Sequence, residues 1–143
     1  MILLLDARAA EVRLPPEVTH SATARAFVAS IAATAPGFDP GRIDDVRLAV
    51  SEAVTNAITA HQRTGSDAPV VVRCAVTEGV LVVEVTDRGG GMVAPDGRRL
   101  DVSDLPDGGL GIPLMRSLAD EVVFVGTPGG TLVRLAFAFR IPT

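Results

Sequence analysis

Apolar residues recur at helical spacing in the first half of the chain and predict two helices there. We expect the first over about residues 21–35, with Thr19 or Ser21 as its N-cap. We expect the second to run from Pro40 to about Gln62, with Asp39 as its N-cap, because aspartate suits the cap and proline the first helical position.

Alternating or continuous apolar runs predict five strands around these helices. Residues 10–14 alternate and stop at Pro15-Pro16, so we expect a short strand at a sheet edge, because proline cannot join a central ladder. A helix is predicted over about residues 111–119, after a glycine-rich loop at 88–108. The other four strands form two predicted hairpins, at residues 70–76 with 80–87 and 121–125 with 130–139.

The predicted order, β-α-α-β-β-loop-α-β-β, indicates an α+β fold. We expect a two-layer sandwich in which helices cover one face of a mixed, mostly antiparallel sheet. The chain has 143 residues and neither a repeat nor a linker that divides it. A single domain over residues 1–143 is therefore expected.

Composition removes several classes of protein. Apolar residues make up 48% of the chain and the formal net charge is −4, which excludes wholesale disorder and disfavours binding driven by neutralisation of nucleic-acid phosphates. The chain has no lysine, because all 13 basic residues are arginine. A Walker A motif and a lysine nucleophile are thereby excluded.

The cellular setting is predicted from two further features. A single cysteine, Cys74, excludes a disulfide framework and indicates a reducing compartment. The apolar run at residues 1–5 is too short for a signal sequence or a membrane span. We therefore expect a cytoplasmic protein that associates with neither a membrane nor, directly, a nucleic acid.

Glu52 and Asn56 lie four residues apart on the second predicted helix and share one of its faces. Their neighbours on the helix are apolar, so the carboxylate and the amide need partners if they are buried. A satisfied polar pair or a solvated flank of the helix fits this pattern. An amide ligand for Mg²⁺ beside a carboxylate base fits it as well, because Mg²⁺ prefers oxygen ligands.

Three glycine-containing segments lie at the ends of predicted elements. Asp87-Arg88-Gly89-Gly90-Gly91 ends a strand; its carboxylate can accept a hydrogen bond from an exocyclic amine such as that of adenine, or the segment is a plain turn. Gly108-Gly109-Leu110-Gly111 leads into a helix whose free amides favour phosphate, or it is a hinge. Gly129-Gly130-Thr131 alone predicts only a turn.

In this order the motifs resemble those of the GHKL (Bergerat) ATPases, which include gyrase-type ATPases, histidine kinases and anti-sigma-factor kinases. Residues 48–57 resemble the N-box of the anti-sigma-factor serine kinases, and residues 111–122 resemble their second glycine box. The resemblance covers about residues 11–140. It implies a histidine-kinase-like ATPase fold that binds ATP and Mg²⁺.

The resemblance also implies a role for each matching residue. Glu52 is expected to be the base that orients or deprotonates the attacking hydroxyl, and Asn56 is expected to hold Mg²⁺. Residues 92–107 correspond to the nucleotide lid, in which Arg98 and Arg99 either meet phosphate charge or form a solvated pair. Adenine contacts are expected at Asp87, Gly89, Gly91 and Thr131. Phosphate contacts are expected at Gly109 and Gly111.

One position departs from the family pattern. The family often has histidine four residues after the N-box asparagine, whereas this chain has Ala60 there and His61 one residue later. One helical step turns a side chain by about 100°, so His61 is expected on the surface near the helix end. The departure bears on phosphoryl transfer more than on nucleotide binding.

The resemblance implies a serine/threonine protein kinase that is also an anti-sigma factor. Such a protein phosphorylates an anti-sigma-factor antagonist, sequesters a sigma factor and forms a homodimer. Arg25, on the first predicted helix, is then a partner contact or an ordinary exposed arginine. An ATP-binding interaction module with little or no kinase activity is the alternative function, and an α+β domain that binds no nucleotide is the third.

Overall fold

The computed structural model describes residues 2–6, 9–89, 99–100 and 111–139, with the backbone alone described at 2–6 and 99–100. Seven strands and three α-helices lie in these residues. A short 3-10 helix, Val18–His20, precedes the first α-helix. In chain order the elements are β1 (Ile2–Asp6), β2 (Ala9–Leu14), α1 (Ser21–Ala33), α2 (Pro40–Thr64), β3 (Val70–Thr77), β4 (Val80–Asp87), β5 (Arg99–Leu100), α3 (Gly111–Leu118), β6 (Glu121–Thr127) and β7 (Gly130–Ala138).

The strands form a seven-stranded sheet in the order β1-β2-β3-β4-β7-β6-β5. Every neighbouring pair of described strands is antiparallel. Side chains alternate along the strands whose side chains are described, and those that face the helices are buried, with Val72, Val83 and Leu135 at 0% exposure. The helices pack on that face, so the predicted two-layer α+β architecture is confirmed.

The starts of the two long helices differ in how they are capped. Asp39 has the extended backbone of an N-cap and accepts a hydrogen bond from Gly41 N–H, as predicted. The prediction for α1 was wrong, because neither Thr19 nor Ser21 caps it. His20 occupies the N-cap position with a helical backbone continued from the 3-10 helix and makes no side-chain cap bond.

Two strand predictions also need correction. β2 was expected at an edge, but it pairs with β3 on one side and β1 on the other. Pro15-Pro16 follow the strand, so they interrupt no ladder. Residues 88–108 were expected to be loop throughout, but β5 lies within them and pairs with β6. A strand of two residues is too short to show the alternation by which strands are recognised.

The remaining bounds agree with the predictions to within about two residues. α2 ends where Gly65 takes up the left-handed conformation at φ 71°, which glycine adopts without strain. None of the described helices combines the length and the apolarity needed to cross a bilayer.

Candidate functional site

Helix α2 carries a half-buried row of three residues, Glu52, Asn56 and Ala60, one turn apart. The row lies between the buried face of the helix and its exposed threonines. At 1.5 Å per residue, Glu52 and Ala60 are separated by about 12 Å along the helix axis. The polar pair therefore occupies one part of the row, and the small Ala60 occupies its end nearest the C-terminus of α2.

The first residue of α3 lies directly against the polar pair. A methyl group on Gly111 would be 2.7 Å from Glu52 Oε2 and 3.4 Å from Asn56 Nδ2. No side chain fits there without displacing the carboxylate. The N–H groups in the first turn of a helix have no intrahelical partners and favour anions, so this end of the row combines a carboxylate, an amide and a helix N-terminus.

The end of β4 lies at the other end of the row. Gly89 is so close to α2 that a methyl group on it would be 2.5 Å from Ala60 Cβ and 2.7 Å from the Ala60 carbonyl carbon. Gly89 N–H donates a 3.0 Å hydrogen bond to Asp87 Oδ1. The segment after Asp87 is therefore pressed against the helix, and its carboxylate is held by its own turn.

Asp87 has the electrostatics of a half-buried carboxyl group. Burial raises its pKa above the usual range, and the backbone N–H of Gly89, followed by nearby positive charge and the backbone N–H of Thr131, lowers it in part. An ionised carboxylate offers about four acceptor sites. Because the bond from Gly89 N–H uses only part of that capacity, Asp87 can also accept a hydrogen bond from a ligand amine.

Thr131 reaches the same end of the site through the sheet. It is the β7 residue opposite Asp87 in the β4–β7 ladder. The two strands converge there, since a methyl group on the neighbouring Gly130 would lie 1.9 Å from the Asp87 carbonyl oxygen. A segment that predicts only a turn by itself thus becomes part of the wall beside Asp87.

The structure brings together Glu52, Asn56 and Gly111 at one end of the row, and Asp87, Gly89 and Thr131 at the other. The backbone of Arg99 lies in β5, opposite Val125, at the sheet edge. Three other predicted contacts lie outside the described residues: Gly91, Arg98 and Gly109. The predicted lid at 92–107 also lies outside them, apart from β5.

His61 was predicted at the surface, and that prediction was wrong. Its side chain is 0% exposed, and its Nε2 accepts a 2.8 Å hydrogen bond from Arg88 N–H. The step of about 100° from Ala60 turns His61 toward the core rather than toward solvent. A sequence signal existed, because His61 continues the buried stripe of Val50, Val54 and Ala57 at helical spacing.

Arg25 is only half exposed and joins the two long helices. Its Nη1 donates to Ser51 Oγ at 3.0 Å and to Ser21 Oγ at 3.4 Å. Ser51 immediately precedes Glu52 on α2. The description of Arg25 as an ordinary exposed arginine is therefore wrong, while its role as a partner contact stays a prediction.

Comparison with known proteins places the chain in a family. The family model for histidine kinase-like ATPase domains matches residues 14–137. Among curated proteins, the chain is 32% identical over 140 residues to serine-protein kinase RsbW of Bacillus pumilus, covering 91% of this chain and 86% of that protein. It is 33% identical over 132 residues to the anti-sigma F factor of Caldanaerobacter subterraneus subsp. tengcongensis, covering 87% and 90%.

A solved structure supports the fold. The crystal structure of the RsbU and RsbW domains of Rv1364c from Mycobacterium tuberculosis superposes with a TM-score of 0.66 at 24% identity. The match covers 94% of this chain and 33% of that one. The chain therefore spans about a third of the solved protein, and the likeness concerns the fold.

Proposed function

Because the chain belongs to the histidine kinase-like ATPase domain family, we propose that it is an ATP-dependent serine/threonine protein kinase and an anti-sigma factor. It phosphorylates a serine of an anti-sigma-factor antagonist and sequesters a sigma factor when that antagonist is phosphorylated. The names of two relatives, a serine-protein kinase and an anti-sigma F factor, support both halves of this proposal. We infer a cytoplasmic location from this proposed role beside a sigma factor.

The two-ended site along α2 is the observation that carries the proposal. A hydrogen-bond acceptor, Asp87, stands at one end, and a helix N-terminus beside Glu52 and Asn56 stands at the other. The ends are about 12 Å apart along the helix. A nucleotide is a ligand of matching chemistry, with a base that donates hydrogen bonds at one end and phosphates that accept them at the other.

At the phosphate end we assign the base role to Glu52. Its carboxylate takes the proton of the attacking serine hydroxyl as the γ-phosphoryl group passes from ATP to that oxygen and ADP departs. Phosphoryl transfer depends mainly on positioning and charge neutralisation. The N–H groups at the start of α3 supply fixed positive charge beside Glu52.

Mg²⁺ fits the donor set at this end. The Asn56 amide oxygen is a hard ligand of the kind that Mg²⁺ prefers. The described residues contain no group of three or more His, Cys, Asp or Glu able to hold a metal, so the ion would be held by Asn56 together with water and phosphate oxygens. When bound, it neutralises phosphate charge.

We also propose that the protein forms a homodimer through the outer face of its sheet. Glu11, Arg73, Glu84 and Arg134 stand opposite one another across β2, β3, β4 and β7. We call these four residues the charged row. A two-fold axis parallel to the strands, passing between Arg73 and Glu84, would set each charge against an opposite charge of a second copy.

Transfer of radiolabelled phosphate from ATP to the antagonist tests the kinase proposal. We expect Glu52→Ala to lower the transfer rate by about 10²–10⁴-fold, the usual contribution of a general base, with ADP affinity largely kept. Glu78→Ala, at an exposed turn, is the matched control. Nucleotide binding without transfer by the wild type would instead support the alternative of an ATP-binding module, and transfer unchanged in Glu52→Ala would refute the role of Glu52.

A further inference from the structure

His61 is a buried polar residue to which the proposed function gives no role. Its imidazole is 0% exposed and accepts Arg88 N–H on Nε2 at 2.8 Å. A nitrogen that accepts a hydrogen bond carries no proton, so the ring is neutral with its proton on Nδ1. Within the described part of the chain, Nδ1 has no hydrogen-bond partner.

The backbone of His61 is fixed where α2 ends. Its carbonyl oxygen accepts hydrogen bonds from Gly65 N–H and, at 2.9 Å, from Ser66 N–H. The imidazole therefore reaches toward β4 from a rigid support. A hydrogen bond to an acceptor on a fixed element constrains the distance and the angle of the amide that donates it.

Arg88 lies between the two residues that shape the Asp87 end of the site. Asp87, before it, carries the carboxylate, and Gly89, after it, is pressed against Ala60 and donates to that carboxylate. The bond to His61 thus holds Arg88, and the contact with Ala60 holds the next residue, Gly89. Together they fix where the Asp87 carboxylate stands relative to α2.

We propose that His61 is a positioning residue that sets the base selectivity of the nucleotide site through Arg88. The inference rests on the proposed function, since it assumes that Asp87 receives the amine of adenine. Removing the acceptor leaves Arg88 N–H without the partner of its partly buried hydrogen bond, which is unfavourable. The backbone then shifts to satisfy it, and Asp87 moves with the backbone.

Selectivity is the property that such a shift changes first. Hydrogen bonds weaken steeply as distance and angle depart from their optimum. A displaced Asp87 loses its bond to the amine of adenine, whereas guanine has no amine at the corresponding position to lose. A general loosening of the fold would instead lower the affinities for ADP and for GDP by the same factor.

Calorimetric titration with ADP and with GDP tests the inference in three variants. His61→Leu removes the acceptor, and His61→Gln keeps a neutral acceptor near the position of Nε2. His20→Gln makes the same change at the other histidine, which is partly exposed and pairs with Glu17. We expect His61→Leu to lower the ratio of ADP to GDP affinity by about tenfold or more, and the two Gln variants to keep it.

A folded His61→Leu protein with the wild-type ratio would overturn the inference and leave the proposed function standing. A wild-type protein that binds no adenine nucleotide would overturn the proposed function itself, and this inference with it. If His61→Leu does not fold, nuclear magnetic resonance of the wild-type protein tests the arrangement instead. Coupling across the hydrogen bond between Arg88 N–H and His61 Nε2 is expected, and its absence contradicts the proposed arrangement.

Discussion

Asp87 shows at the scale of one residue how a binding group weakens the fold that holds it. Burial raises its pKa, so the folded protein binds a proton there more tightly than the unfolded chain does. Above both pKa values the ionised carboxylate therefore destabilises the fold, and that cost disappears as the pH falls through the raised folded pKa. Functional sites commonly show such a trade of stability for activity.

Asp87→Asn is expected to separate these two effects. The amide oxygen still accepts from Gly89 N–H, but the buried charge is gone, so the melting temperature at neutral pH should stay the same or rise. ADP affinity should fall by about 1.5–3 kcal/mol, the range for a hydrogen bond to a charged group. Calorimetry and thermal melts with an extrinsic dye measure both, with Asp67→Asn in an exposed loop as the control. Unchanged ADP affinity would remove Asp87 from the site.

The sequence gives the identity of most site residues at this scale but not all their surroundings. Glu52, Asn56 and Asp87 stand out because polar groups interrupt apolar runs. The close contacts of Gly89 and Gly111 could not be read in the same way, since they involve atoms of α2 that are distant in sequence. His61 shows the opposite error: its helical spacing indicated burial, while the step of about 100° from position 60 near the helix end was interpreted as pointing it to the surface.

At the scale of elements, Arg42 joins the start of α2 to the end of α3 and to the sheet. Its Nη2 donates to Asp120 at 2.6 Å, and its Nη1 donates to the Leu118 carbonyl at the end of α3. Asp120 also accepts Ala138 N–H at 2.7 Å. The guanidinium lies 5.3 Å from the centre of the Phe137 ring. These contacts hold the end of α3 opposite Gly111.

Asp120→Asn is expected to weaken this junction in a pH-dependent way. The Ala138 N–H, followed by the bond to and charge of Arg42, lowers the pKa of Asp120. Its stabilising effect is therefore complete above the unfolded pKa and is lost as the pH falls through the lowered folded pKa. Since the side chain is 54% exposed, we expect a loss of only about 1 kcal/mol or less at neutral pH.

Denaturant unfolding of the wild type and Asp120→Asn over a pH series measures this difference. The two proteins should converge in acid, because the wild-type carboxyl is then protonated. Asp44→Asn, which removes an exposed pair with Arg47 on the same helix, is the control. A difference that persists undiminished below the folded pKa would show that charge is not its cause.

The helices and hairpins were predictable because their signals are local. Asp39 caps α2, Gly65 ends it and Gly79 turns the β3–β4 hairpin at φ 73°, and each acts within a few residues. β1 and β5 escaped prediction because their pairing partners decide them. The order of strands in the sheet could not be obtained from local patterns for the same reason.

At the scale of the whole molecule, the two faces of the sheet have different roles in the structure. One face is covered by helices and forms the core, while the charged row crosses the other. Arg134 pairs with Glu84 at 2.7 Å within the row. On one side the charged row is flanked by the small apolar side chains of Ala9, Ala75, Val82 and Ala136, so the face offers both apolar contact area and a pattern of charges.

Arg73→Glu is expected to convert the proposed homodimer to a monomer, because it sets like charges against each other at the centre of the interface. Adding Glu84→Arg restores opposite charges between the copies and should restore the dimer. Light scattering with size-exclusion chromatography measures the mass, and Arg47→Glu on the exposed side of α2 is the control. A monomeric wild type would contradict the dimer, and a dimeric Arg73→Glu protein would place it on another face.

The sequence by itself determined the three helices, five of the seven described strands, the two-layer class and the polar residues proposed for the site, because spacing, caps and turn residues act over short stretches of chain. The tertiary structure alone decided which residues meet. Contacts between distant segments place Gly111 against Glu52, Gly89 against Ala60 and Thr131 opposite Asp87. They also bury His61 beneath the end of β4, since burial depends on what the rest of the chain packs around a residue.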